Sequence, residues 1–391
     1  MQIIEDIQTI DAGTSDWIQS IQRRFGEAKG AMIAKSLQSS DDTFSYHMFK
    51  VSLLCKKLVG TFSLKRKSAI APRNDFDEVE TRTRLINLMK NIQPFWQYEG
   101  MPADNLIIST LPSLSLCAFC VQEPGADKNF HIFYDEELGT FSYMISKLMS
   151  EIMNISDDGR ITVIKSEELQ DKLNGEFGLA AFDLFFQTCR TGSARHSKPR
   201  VPVDAIKMNF FLPIANAIEV FILGHELGHI CLGHFKNPDA NIMYQGMDDL
   251  HAMSFAHDLE FKADEAGVML CHLYTRKEFN SNIGIIAVSI FMRSLETLAQ
   301  CDTLFSKPSG ILSTHPNPLT RIQNLITYAQ AIPNFGLQIE GLQEMFFQTM
   351  ERMAEIENWL LKKIEEEVRK GAQIQTREPL IPKIQRPAIL G

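Results

Sequence analysis

The chain has 391 residues, 45% of them hydrophobic and 22% charged, with a formal net charge of −9 at pH 7. That is enough chain for a substantial core and two or three domains. The negative balance excludes non-specific nucleic-acid binding, which needs clustered Lys and Arg. Seven cysteines, an odd count without regular spacing, point to a reducing compartment.

The first residues, MQIIEDIQTIDAG, are acidic where a signal peptide would be basic, so a cytoplasmic protein is expected. Residues 1–65 read as mixed and mostly helical, and 66–75 (RKSAIAPRND) as a polar linker. The stretches 106–122 and 129–135 are rich in apolar and β-forming residues, and Pro124 and Gly125 stand between them. That predicts two antiparallel strands joined by a turn. Cys117 and Cys120 form a lone CxxC, which without a second pair reads as two strand residues rather than a metal or redox site. Helices are predicted over 139–154 and 166–191. The basic stretch 191–202 (TGSARHSKPRVP) then reads as a connection or a lid. The chain shows no internal repeat.

Residues 214–232 (IANAIEVFILGHELGHICL) predict a helix starting after Pro213 and stopping at Gly233. The run is long and apolar enough to raise the question of a membrane span. Asn216, Glu219, His225, Glu226 and His229 interrupt it, so a buried core helix with a polar stripe is the better reading. His225 and His229 are one turn apart on one face, so both rings can reach one metal ion. Glu226 is rotated by about 100° from His225 and borders the metal's open side. Two imidazoles with an adjacent carboxylate are half of a zinc hydrolase.

A third ligand has to come from elsewhere. Leu232 and Phe235 stand where the metzincin pattern needs Gly and His. His234, nine residues past His225, falls about 180° around the helix, which leaves it a capping or outer-sphere contact. Downstream, SFAHDLEFKADEAG (254–267) places Glu260 and Asp264 at i and i+4 of a further helix. Glu260 can complete a His₂Glu site with a fourth position left for water. Asp264 is suited to accept the N–H of a ligating imidazole. Ala263, Ala266 and Gly267 allow close helix packing, and His257 is the runner-up ligand. His251 reads as a surface or outer-sphere residue. The apolar run 283–292 is too short by itself to span a bilayer. In STHPNPLTRI (313–322), Asn317 is a good N-cap and Pro318 a good first helical residue, with His315 just before the helix and Arg321 one turn inside.

Taken in order, HELGHICLGH, EFKAD and STHPNPLTRI resemble the gluzincin zinc metallopeptidases of the CaaX-prenyl-protease and HtpX type, over about residues 205–330. The resemblance implies His225, His229 and Glu260 as zinc ligands, Glu226 as general base and Asp264 as a support behind the ligands. It also implies that His315 and Arg321 line the substrate side. Lys262 stands where many members have Glu, and the multiple membrane helices of the best-known members are missing. His315 carries two readings, a donor to the oxyanion or a fourth zinc ligand that holds the enzyme latent. The fold expected is α+β and mainly helical, with a zincin-like core, a small antiparallel sheet and a long C-terminal helix. Its parts are an N-terminal region (1–100), a zinc metallopeptidase domain (101–335) and a C-terminal helix and tail (336–391).

Over 342–370, apolar residues from Phe346 to Val368 recur every three or four positions. They serve either to pack on the body or to bind a partner or a second copy. The tail beyond Gly371 reads as extended or disordered. The function expected is a soluble zinc-dependent endopeptidase acting on a protein or peptide substrate, with no nucleic acid and no membrane span. The alternatives are a pseudo-peptidase that binds a partner, or a triggered host-defence peptidase with a single target.

Overall fold

The computed structural model describes residues 2–4, 79–96, 105–111, 116–122, 128–155, 161–197, 204–234, 249–305, 316–332 and 341–371. The linker expected at 66–75, most of the N-terminal region, His315 and the tail beyond Gly371 lie outside the described residues. Among those described, the architecture is mainly helical with one small sheet, an α+β arrangement.

The sheet has the order β1-β2-β4-β3. Strand β1 (Gln2–Ile4) lies parallel to β2 (Asn105–Leu111), on the far side of the helix α1 (Val79–Ile92) in sequence. Strand β3 (Ala118–Gln122) pairs antiparallel with β4 (Asn129–Asp135), with Cys120 opposite Ile132, so the expected hairpin is present. The first half of 106–122 does not belong to it. It forms β2, which runs parallel along the other side of β4, Asn105 opposite Asn129, making the sheet mixed. Pro112, directly after β2, cannot donate to a ladder, and Leu116 adopts a left-handed φ of 49° before β3 begins. Interior strands β2 and β4 are buried along nearly their whole length, whereas every residue of β3 is half-exposed, as suits an edge.

Asp135 ends β4 and caps helix α2 (Glu136–Ser150), its carboxylate accepting from the Glu137 N–H at 2.6 Å. A short hairpin of β5 (Met153–Ile155) and β6 (Ile161–Val163) follows. The helix expected over 166–191 is two, α3 (Ser166–Leu173) and α4 (Glu176–Thr191). Their junction is tight: a Cβ on Gly178 would sit 1.9 Å from the Leu173 carbonyl oxygen. The stretch after α4, read as a connection or lid, is anchored where it is described. Ser193 Oγ donates to Glu137 at 2.7 Å and Arg195 pairs with Glu136 and Glu137.

Helix α5 spans Ala205–Cys231, so it begins well before the expected start and runs through Pro213. Asp204 caps it, accepting from the Lys207 N–H at 2.8 Å. Burial of Phe210 and Phe211, with Tyr143 of α2 edge-on to Phe211 at 4.7 Å, offsets the hydrogen bond that Pro213 removes. Helix α6 (Asp249–Phe279) crosses α5 along a seam of small residues. A Cβ on Gly228 would lie 2.9 Å from Ala263 Cα, and one on Gly267 would lie 2.9 Å from the Phe221 carbonyl oxygen and 3.0 Å from His225 N. The two backbones therefore touch, with no room for side chains between them.

Helices α7 (Gly284–Phe305), α8 (Pro318–Ala331) and α9 (Leu342–Arg369) complete the body. The apolar face of α9, including Phe346, Met353, Ile356, Leu360 and Ile364, is buried against α7 and α4. It packs on the body, as the plainer of the two readings has it. Helix α1 is tied in as well: Arg82 Nε donates to the Ile108 carbonyl at 2.8 Å, and Arg84 pairs with Glu219 of α5 at 2.7 Å. By length and composition, α5 from Lys207 and α7 are each apolar enough to cross a membrane, so the run read as 283–292 extends further than its sequence announces. Both helices are mostly covered by the rest of the fold.

Candidate metal centre

The α5–α6 seam sets the site. Because Gly224 and Gly228 let α6 approach to backbone contact, Glu260 reaches the face of α5 that carries His225 and His229. The two Nε2 atoms are 3.2 Å apart, and each lies 3.4 Å from a Glu260 oxygen. One ligand atom from each of the three residues falls within 4.8 Å of the others. His257, the runner-up, is not in this group. His225, Glu226 and Glu260 are buried, and His229 is half-buried.

The electrostatics of the cluster favour a cation. Burial alone would push the His225 imidazole down, but hydrogen bonds to Asp264 and Glu260, together with their charges, carry it up to about 10. The same field of carboxylates suits a divalent ion, and two imidazoles with one carboxylate is a hydrolytic zinc set. The residues present therefore fit zinc.

Behind the converging nitrogens, each imidazole has a partner on its outer nitrogen. Nδ1 of His225 meets Asp264 Oδ1 at 2.9 Å. Asp264 is fully buried, which alone would raise its carboxyl, yet Arg321 and His225 hold it below the ordinary range. Arg321 grips both carboxylate oxygens, Nε donating to Oδ2 at 2.7 Å and Nη2 to Oδ1. Arg321 is thereby tied to the carboxylate behind His225, and the charges of Glu260 and Glu226 also act on it. A buried carboxylate needs a countercharge, and Arg321 supplies it from α8, whose start is capped by Asn317 accepting from the Leu319 N–H at 2.8 Å. Nδ1 of His229 lies 2.7 Å from Nδ1 of His234. Burial and nearby positive groups push the His234 imidazole down to about 4, so it is neutral.

Strand β3 packs on α5 and brings Cys120 to Glu226. Its thiol hydrogen-bonds the carboxylate, and desolvation with the Glu226 charge pushes the thiol well above its ordinary range. It stays protonated and donates. From sequence Cys120 is only a strand residue, because nothing in the local pattern says that this strand lies against α5. His315 lies outside the described residues, although Pro316 beside it is described and buried.

Residues 216–329 match the model of peptidase family M48. No curated protein and no solved structure matches the chain. The matched segment covers α5 from Asn216, all of α6 and α7, and most of α8, and so includes the three converging residues, Asp264 and Arg321. Match and geometry agree: the segment similar to peptidase family M48 carries His225, His229 and Glu260, the three residues that converge as a metal site would require.

Proposed function

We propose that this chain is a zinc-dependent endopeptidase that hydrolyses peptide bonds of a protein substrate, with Glu226 as its general base. The observation that carries the reading is the convergence of His225, His229 and Glu260 on one point, with Glu226 beside His225 on the same helix. Zinc, when bound, supplies a Lewis acid that acidifies water and polarises the scissile carbonyl. Glu226 accepts the proton of the attacking water and returns it to the leaving amine. Cys120 holds the Glu226 carboxylate by its S–H donor. Asp264, itself clamped by Arg321, fixes the ring of His225. The half-exposed strand β3 stands last in the sheet order and packs on α5, the place where an extended peptide would lie beside the site. His315 keeps both of its readings, donor to the oxyanion or latent ligand.

The reading as a soluble, cytoplasmic enzyme rests on the two apolar helices being covered by the protein's own fold. The test is a proteome-wide cleavage comparison between the wild type and Glu226→Gln. New termini should appear with the wild type alone, because the amide cannot take the water's proton. Identical cleavage by both would sink the mechanism and favour a partner-binding module on a metallopeptidase fold.

A further inference from the structure

Helix α5 ends in a turn whose geometry bears directly on His229. Gly233 adopts φ +68°. Its N–H bonds the Ile230 carbonyl at 3.1 Å, and the His234 N–H bonds the His229 carbonyl at 3.1 Å. These two bonds define a Schellman motif. In that motif the second residue past the helix cap folds back over the third-last helical residue, and an apolar contact between the two commonly accompanies it. Here the two positions are His234 and His229, and the contact is polar: Nδ1 to Nδ1 at 2.7 Å, rings 4.9 Å apart and inclined at 70°.

We propose that His234 is a positioning residue of the metal centre, carried by the Gly233 turn onto the outer nitrogen of His229 to fix that ring's tautomer and rotation. The proposal rests on the reading of His225, His229 and Glu260 as metal ligands. An imidazole that offers Nε2 to a metal carries its proton on Nδ1. His229 therefore donates to Nδ1 of His234, which carries its own proton on Nε2. Without this acceptor the His229 ring could rotate about its side chain or hold its proton on Nε2, and neither arrangement presents a lone pair to the metal. The two ligands on α5 are thus oriented by different means. His225 relies on α6 and α8 through Asp264 and Arg321. His229 relies on the local chain at the end of its own helix.

The test is metal affinity by chelator competition, with Zn²⁺ and Co²⁺ on the full-length chain, alongside the d–d spectrum of the cobalt form. His234→Ala should bind about 10- to 100-fold more weakly, the usual loss when such a partner is removed, with an altered cobalt spectrum. His234→Asn should recover most of the affinity, because its amide oxygen can accept at the same place. Gly233→Ala keeps every side chain of the site but strains the left-handed turn, and should weaken binding in the same direction. Wild-type affinity and an unchanged cobalt spectrum in His234→Ala would overturn the positioning role while leaving the metal centre standing. Wild-type protein that binds neither ion, or binds no better than His229→Ala, would overturn the metal centre and this proposal with it.

Discussion

The two halves of α5 are held in the fold by opposite means. From Phe221 to His229 the helix lies against α6 with backbone on backbone, where single hydrogen atoms of Gly224, Gly228 and Gly267 fill the gap. From Lys207 to Glu219 it is held by side chains: Phe210 and Phe211 in the core, an edge-on Tyr143 and the Arg84–Glu219 pair. The first half carries His225 and His229, and its close crossing with α6 brings Glu260 to them. The second half tolerates irregularity, including a proline inside the helix and the exposed Met208 and Leu212. Position along this helix is set finely only where the proposed chemistry needs it.

Equal insults on the two halves should have unequal costs. Gly228→Val drives a side chain into Ala263 and should cost about 3 kcal/mol, with loss of metal binding, read by urea unfolding and zinc content. Leu212→Ala, in the tolerant half at an exposed position, should change stability by less than about 0.5 kcal/mol. Comparable losses from both would remove the distinction.

Zinc should reinforce the fine half through its ligands. At free zinc about a hundredfold above Kd, unfolding of the wild type should require about 2.7 kcal/mol more than with chelator present. His225→Ala, which lacks a ligand, should show no such difference in the same denaturation series.

Arg321→Ala strips the countercharge from the buried Asp264. Breaking such a pair is costly, and with the partial exposure of Arg321 a loss of about 2 kcal/mol is expected. Zinc affinity should fall with it, since Asp264 orients His225. Loss of cleavage with stability and zinc affinity untouched would instead return Arg321 to the substrate side.

A pH-dependent effect belongs to the tolerant half. Burial pushes the Glu219 carboxyl from 4.5 up to about 7 despite the neighbouring Arg84. Between those values the folded chain holds a proton that the unfolded chain has released, so this group's contribution to stability falls as pH rises through the window. Glu219→Gln cannot titrate. Its stability relative to wild type should therefore rise between about pH 5 and about pH 7, by on the order of 1 kcal/mol, as read from paired urea midpoints. A difference independent of pH would show that Glu219 is ionised throughout.

The same contrast separates what is legible in the sequence from what is not. Spacing at i and i+4 is a property of the helix itself, so residue order alone pairs His225 with His229, and Glu260 with Asp264, on common faces. The Asn317 cap is equally local, and the small residues of 263–267 announce the close crossing. What stays hidden depends on partners distant in sequence. Pro213 resembles a helix start because the packing that offsets it comes from α2. Strand β2 resembles part of a hairpin because its parallel partner lies beyond β3. Cys120 and Arg321 acquire their places only when β3 and α8 dock. His234 stands between the two cases. Counting along an unbroken helix sends it to the wrong side, and recognising Gly233 as the left-handed stop brings it back onto His229.

Crossing α6 over α5 would complete the proposed metal centre with Glu260. Zinc content of purified wild type, Glu260→Ala and His257→Ala, measured side by side after dialysis, tests it most directly. One zinc per chain is expected in the wild type and in His257→Ala, with zinc lost from Glu260→Ala. Full zinc in Glu260→Ala, with zinc lost from His257→Ala, would contradict it.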